Sequence, residues 1–529
     1  MLFLVPVSNV RVIPKNKHFF IIIISITFII FIFTSDGHRS TIDEDITSQE
    51  ALHLATLEPH PNYVQGVSRV FFEYPVMFPP ETNTREICKS GLICSYSNIG
   101  HSVTEVPFIA INHYLNILTA VDIWELYEYD DPNYAYWKNT LNPDFVFLEI
   151  FYGPLLSALT VGVFFLCCRT FNFTVKTSII TSFIFAFSTL IWSYSQTSFN
   201  TVPVTLFILL GFLFFLKYTK EHKKLFLILC GFILAFGYLS RPDTAIFAIV
   251  LFSYLVIDSV KSRGKFLQLF YFSVPLALSF AFSVILAELR FTQTQLAAAV
   301  FAAPVDYPTP FYVGIAGLLF SPGVGLFIFV PISFMAFLSF LDFFKREKSY
   351  CILFIVIISS FLAYYSTLEF WHGLTSWGPR YLVPIIPFLL LPLAASIEKR
   401  KNKSFLFPVL VFSVVGFFFN FVNIIQNVPW FIWGEMGDVG VAHGLYALGR
   451  TDSGLVWPIW INPLVLYTFE FSQLTHAIIW SIVKLQPDIF LLELLESWYS
   501  IILISLLSVP VFLLVRQLKK VSQALKTEP

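Results

Sequence analysis

Residues 40–50 read STIDEDITSQE and set Asp43, Glu44, Asp45 and Glu50 close together. A carboxylate in such a stretch can act as a general base and take the proton of an acceptor hydroxyl. The same residues also suit a helix start: Thr41-x-x-Glu44 fits a capping box, and acids in a first turn are stabilised by the helix dipole. Two arginines are the cationic counterparts. Arg241 lies in LSRPDTA (239–245) and Arg380 in EFWHGLTSWGPRYLVPIIPF (369–388). A guanidinium presents a rigid fork of donors that matches phosphate. Each has a structural alternative: Arg241 and Asp243 satisfying each other in a turn, and Arg380 snorkelling to the membrane surface. His372 and Glu369 share the second stretch and have metal-ligand chemistry, although a lone His is more often not a ligand. LLFSPGVGLFIFVP (318–331) breaks the backbone with Ser321, Pro322, Gly323 and Gly325 before an apolar run. Free N–H groups there would suit an anion, and an ordinary loop-to-helix junction explains the stretch equally well.

The elements that carry these residues must be membrane helices. Of 529 residues 56% are hydrophobic and 13% are charged, with mean hydropathy +0.73. Soluble domains carry roughly 25% charged residues. Uncharged runs long enough to cross a ~30 Å hydrocarbon core recur along the chain. Candidate spans are 18–34, 144–168, 177–193, 201–217, 225–240, 243–259, 266–287, 323–343, 349–366, 381–397, 405–425 and 498–515. With the N-terminus cytoplasmic, most of the 33 basic residues fall in the short inner connections. This is the positive-inside pattern. The reading is a multi-pass cell-membrane protein with both termini cytoplasmic and the acid cluster outside. The first run is longer than a secretory h-region and reads as an uncleaved anchor. Residues 105–129, apolar but short and flanked by acids, read as an interfacial helix in a long outer loop, 35–143. A second outer segment, 426–497, is rich in Trp and Pro. The organisation expected is a catalytic membrane region over 1–425, then an outer cap, last span and basic tail over 426–529. The 62 Phe suggest a lipid-facing bias. Cys88 and Cys94 lie in one polar loop at a spacing that permits a disulfide.

Several classes are disfavoured. No phosphate-loop motif, dinucleotide fingerprint or H-E-x-x-H zinc motif is present, so neither an ATP-driven pump nor a soluble nucleotide-sugar site is supported. The net charge of −1 gives no global field for nucleic acid. A transporter predicts charges at mid-span and repeated halves, whereas these spans are almost free of charge and the polar groups gather at one surface. A catalytically inactive scaffold is the other alternative.

The ordered blocks resemble those of the GT-C superfamily of integral-membrane glycosyltransferases, in its protein O-mannosyltransferase and aminoarabinose transferase branch. They are IDED followed by EALHLA, YSNIGHSVTEVPFIAI (96–111), IWSYSQTSFNTVPVTLFILLGFLFFLKY (191–218), YLSRPDTAI, LLFSPGVGLFIFVPI and SWGPRYLVPIIPFLLLPLA. The resemblance implies an all-α, GT-C-type bundle of about twelve transmembrane helices with interfacial helices on the outer face. It implies transfer of a sugar, with inversion, from a polyprenyl-phosphate-linked donor in the lipid bilayer to a hydroxyl of a protein, lipid or glycan acceptor. Carried over by position, Asp43 is the base candidate, Glu44 its neighbour and Asp45 an alternative. Arg380, with Arg241, is the phosphate-binding candidate. The second acid is Glu105, Asp122 or Glu125, and His372 lies beside the Arg380 block. Metal dependence varies within the superfamily, so a divalent metal stays open.

Overall fold

The computed structural model describes residues 13–37, 42–56, 99–119, 146–261, 266–290, 309–368, 371–373, 376–400, 403–425, 446–450, 456–461, 466–470, 472–483, 489, 512 and 516. These residues form a polytopic helical bundle. In chain order the helices are α1 (Ile13–Phe33), α2 (Ile42–Thr56), α3 (Ile99–Thr119), α4 (Val146–Thr170), α5 (Val175–Phe187), α6 (Ile191–Tyr194), α7 (Thr201–Glu221), α8 (Lys224–Ser240), α9 (Thr244–Lys261), α10 (Leu267–Arg290), α11 (Phe311–Phe320), α12 (Leu326–Phe329), α13 (Ser333–Arg346), α14 (Lys348–Tyr365), α15 (Ile386–Lys399), α16 (Lys403–Ile425) and α17 (Gln473–Val483). A 3-10 turn, Arg380–Ile385, leads into α15. A single hairpin, β1 (Tyr446–Arg450) and β2 (Val456–Ile461), pairs antiparallel with a register shift between Ala447 and Gly449.

Helix occupies each expected span up to 405–425, and the span expected at 498–515 lies outside the described residues, as does the Cys88–Cys94 loop. Seven helical runs among the described residues are long and apolar enough to cross a membrane: α4, α7, α9, α10, α14, the Arg380–Lys399 run and α16. Four shorter apolar helices accompany them, in α1, α5, α8 and α11. Three expected spans are interrupted. The 177–193 run stops at Phe187, where Thr189 Oγ1 donates to the Phe185 carbonyl and competes with the backbone ladder, and resumes as α6. The 323–343 run breaks around Pro331, which has no N–H to continue the ladder. Pro384 and Pro387 tighten the start of the 381–397 run into the 3-10 turn. Helix α11 was not expected. It packs on α14 through Gly314, whose added Cβ would lie 1.9 Å from the Ser366 carbonyl oxygen.

The phenylalanines do more than face lipid. Most of the largest fully buried side chains are Phe. Phe212 packs edge-on against Phe388 at 5.2 Å and Phe354 at 5.4 Å, and Phe343 stacks on Phe354 at 5.4 Å. Such pairs add about 0.5–1.5 kcal/mol each beyond burial. Lipid-facing Phe and Leu are instead concentrated on peripheral helices such as α10, where Phe270, Leu278, Phe282 and Leu289 are exposed.

At the basic end of the bundle Asp342 of α13 is buried and accepts bonds from Ser396 Oγ (2.9 Å), Lys399 Nζ (2.8 Å) and Arg400 Nε (2.6 Å). Arg346 donates to the carbonyls of Phe171 (3.1 Å) and Asn172 (3.0 Å). The Asp342 contacts anchor the C-terminal end of α15, whose other end follows directly on the Arg380–Ile385 turn. At that opposite end the SPG loop does not present free N–H groups. Ser321 Oγ receives the N–H groups of Gly323 (3.2 Å) and Val324 (3.3 Å) and donates to the Leu466 carbonyl, while Gln473 Nε2 donates to the Gly323 carbonyl at 2.6 Å. Of the two readings of this stretch the structural junction holds. The loop is where residues 466–473 dock.

Candidate functional site

At the end of the bundle opposite Asp342, a cavity of about 180 Å³ is lined by Thr47, His101, Phe199, Asn200, Arg241, Arg380 and Tyr381. Its walls come from five distant parts of the sequence: the acid helix α2, helix α3, the loop into α7, and the two arginine stretches. Small cavities with convergent charged and aromatic groups are the usual form of a ligand site.

Arg241 follows the last residue of α8, in extended backbone before Pro242. Its side chain is buried. Nη1 donates to Thr201 Oγ1 at 3.1 Å, Nη2 donates to the Tyr365 hydroxyl, and Nη2 lies 3.2 Å from Asp243 Oδ2. Tyr365 in turn donates to Asp243. The turn pairing of Arg241 with Asp243 is therefore present, and Arg241 still lines the cavity; the two readings of this motif are compatible. Tyr381 stacks on Tyr365 at 4.6 Å with ring planes 4° apart, and the Arg241 guanidinium lies 5.4 Å from the Tyr381 ring. Arg380 is half-buried, 5.0 Å from the Phe199 ring and 5.1 Å from the Tyr381 ring, and Nη2 donates to the Tyr381 hydroxyl at 3.3 Å. Aromatic faces stabilise both cations.

The carboxylates are held by long-range contacts. Glu44 is buried, and its Oε1 accepts the Ser198 backbone N–H at 2.8 Å and lies 3.4 Å from the Ser198 hydroxyl. The Ser198 carbonyl accepts from His101 Nε2 at 2.8 Å. A single residue is thereby gripped through its N–H by α2 and through its carbonyl by α3. The two helices are tied to each other where Ser102 Oγ donates to Glu50 Oε2 at 2.7 Å, and by an apolar cluster of Ala51, Leu52, Ile109, Leu148 and Tyr152. Asp43 and Asp45 belong to α2, but their side chains lie outside the described residues, as do Asp122 and Glu125.

Glu105 is wholly buried on α3. Burial pushes its carboxyl up from the usual range, Glu44 adds to this, and His101 opposes it. His101 Nε2 lies 3.2 Å from Glu105 Oε1, but that proton is directed to the Ser198 carbonyl. His372 is buried beside Trp371 and does not line the cavity. Burial, reinforced by the Arg380 charge, lowers its imidazole to about 4. The ring is uncharged at neutral pH and offers no ionic contact to an anion. Glu369 lies outside the described residues, and among the described residues no three His, Cys, Asp or Glu side chains gather as a metal ion requires.

Sequence reading missed His101, Ser198, Phe199, Asn200 and Tyr381. One signal was available: SQTSFNTVP is unusually polar for a stretch between two apolar helices. Close approach sets the remaining geometry. A Cβ on Gly100 would lie 2.6 Å from the Leu239 carbonyl carbon and 2.7 Å from Ser240 N. Gly100 therefore lets α3 bring His101 against the Arg241 turn. Gly100→Ala is expected to cost about 1–3 kcal/mol by overpacking, seen as a lowered unfolding midpoint of the purified protein. An unchanged midpoint would mean that α3 can stand off from α8 freely.

No curated protein matches the chain. Residues 147–287 match the model of the dolichyl-phosphate-mannose-protein mannosyltransferase family. This segment runs from α4 to α10 and supplies the Phe199, Asn200 and Arg241 wall of the cavity. Of the sequence blocks that carry the resemblance, 191–218 and YLSRPDTAI (238–246) fall inside the matched segment.

Proposed function

We propose that this protein transfers a sugar from a polyprenyl-phosphate-linked donor to an acceptor hydroxyl at the outer face of the membrane, with inversion. The observation that carries the reading is the convergence of Arg241 and Arg380 on one cavity whose wall includes the acid helix. A polyprenyl-phosphate donor keeps its tail in lipid and its phosphate at the surface. The two guanidiniums bind that phosphate and stabilise the charge that grows on it as the C1–O bond breaks. The sugar–phosphate bond supplies the driving force, so no nucleotide motif is needed. On the acceptor side, Asp43 stands one helical turn before Thr47 on α2, and residues four apart share a helix face. Asp43 is the base in this reading. Glu44, engaged with Ser198, sets the position of α2. The acceptor is a hydroxyl of a protein, lipid or glycan.

The orientation follows from charge. Lys220, Arg346, Lys399 and Arg400 sit at helix ends on the Asp342 side, which positive-inside bias makes cytoplasmic. The cavity then opens outward. Residues 1–425 form the catalytic region, and 426–529 form a cap, last span and tail.

Mass spectrometry of co-purifying lipids tests the donor. Wild type is expected to retain a polyprenyl-phosphate sugar. Arg380→Ala is expected to retain at least about tenfold less, the equivalent of one lost charge-assisted contact. Absence of polyprenyl phosphate from both preparations would overturn the reading.

A further inference from the structure

We infer that His101, backed by Glu105, is a proton donor to the departing phosphate. The inference rests on the proposed phosphate cavity and adds a residue to it. His101 shares the cavity lining with Arg241 and Arg380. Its Nε2 lies 2.8 Å from the Ser198 carbonyl oxygen. A carbonyl only accepts, so Nε2 carries a proton in every charge state of the ring. The atom that gains or loses a proton is therefore Nδ1. Nδ1 takes no hydrogen bond among the described residues, and with Nε2 turned to Ser198 the Nδ1 edge is the one left to meet a ligand.

The charged groups that face the ring are Arg241 and Arg380 across the cavity, Glu105 on the ring's own helix, with Oε1 3.2 Å from Nε2, and Glu44 on α2 in the same region. Glu50 is bonded to the neighbouring Ser102, and the Tyr152 ring of α4 lies 6.3 Å from the imidazole. Glu105 is wholly buried, with Oε1 3.2 Å from His101 Nε2. A buried carboxylate is costly without a partner, and the imidazole at its side is the cation that can pair with it.

The step balances. The acceptor oxygen bonds to C1 as the C1–O bond to phosphate breaks, and the bonding pair stays on the phosphate oxygen. The acceptor proton goes to the carboxylate base. Imidazolium Nδ1–H passes its proton to a phosphate oxygen, which yields a monoanionic rather than dianionic polyprenyl monophosphate and a neutral ring still held by Ser198. The second ionisation of a phosphate monoester lies near 6, within reach of an imidazole.

The test is binding of farnesyl phosphate to the full-length protein in detergent across about pH 6–9, the upper part of which lies above the phosphate's own ionisation. Wild-type affinity is expected to fall above neutrality by up to about tenfold per pH unit, the limit for one linked proton. His101→Gln keeps a donor for the Ser198 carbonyl and is expected to remove that slope. Glu105→Gln is expected to move the fall to lower pH, since the counter-ion is gone. A flat wild-type profile above neutrality, or equal slopes in wild type and His101→Gln, would overturn the inference. The phosphate cavity would still stand if Arg380→Ala weakened binding at every pH. Failure of wild type to bind farnesyl phosphate at all would remove the cavity reading and the inference together.

Discussion

Arg241→Ala is expected to abolish donor binding and to destabilise the fold by about 3–5 kcal/mol, the cost of leaving a buried charge without its partner. The double loss follows from geometry. The guanidinium lines the cavity, and it is also the cation beside buried Asp243 and the donor to Thr201 and Tyr365. Removing it strands a carboxylate and a hydroxyl between α8, α9 and α14. Thermal unfolding and donor retention should fall together. Arg380→Ala separates the two effects, because Arg380 is half-buried and packs against the Phe199 and Tyr381 rings, with Nη2 donating to the Tyr381 hydroxyl. That variant should lose donor with little change in midpoint. Arg241→Lys should restore part of the stability and little of the binding, because an ammonium lacks the planar fork. If Arg241→Ala unfolded at the wild-type temperature, Asp243 would have to be neutral in the folded protein.

Asp43→Asn is the second large effect. A general base contributes typically about 10²–10⁴-fold, so transfer should fall by that factor while the donor stays bound. Purified Asp43→Asn should accumulate the polyprenyl-phosphate sugar relative to wild type, as a stalled enzyme does. A turnover rate near wild type would pass the role to Asp45 or Glu44. Glu44→Gln should be milder on the chemical step, since the amide oxygen can still accept the Ser198 N–H that Glu44 holds at 2.8 Å.

The parts of this architecture that were legible in the sequence are those written locally. Charge-free runs place the spans, and R-P-D places Arg241 beside its own counter-ion. The acids of α2 are visible as a helix start. What was illegible depends on contacts between remote segments. Nothing in Y381 signals a ring stacked on Tyr365 between two guanidiniums. The polar loop before α7 looks like a connection until Glu44 and His101 are seen to hold Ser198. Phenylalanine has no periodicity that separates a lipid-facing ring from one packed against Phe354, because both environments are apolar. For the same reason the breaks in the 177–193 and 323–343 runs were missed, since hydropathy does not change where the ladder is interrupted. Pro331 was the visible clue to the second.

The grip on Ser198 also orders the protein's biogenesis. Chains are made from the N-terminus, so Glu44 and His101 emerge long before the residue they hold. Until the ribosome has passed Ser198, the Glu44 carboxylate and the His101 ring lack their partners there, and water must fill the positions. The wall of the cavity is therefore built from early-made parts that wait for a later one. A nascent chain stopped between α4 and α7 would carry the acids of the site without the arrangement that gives them a use.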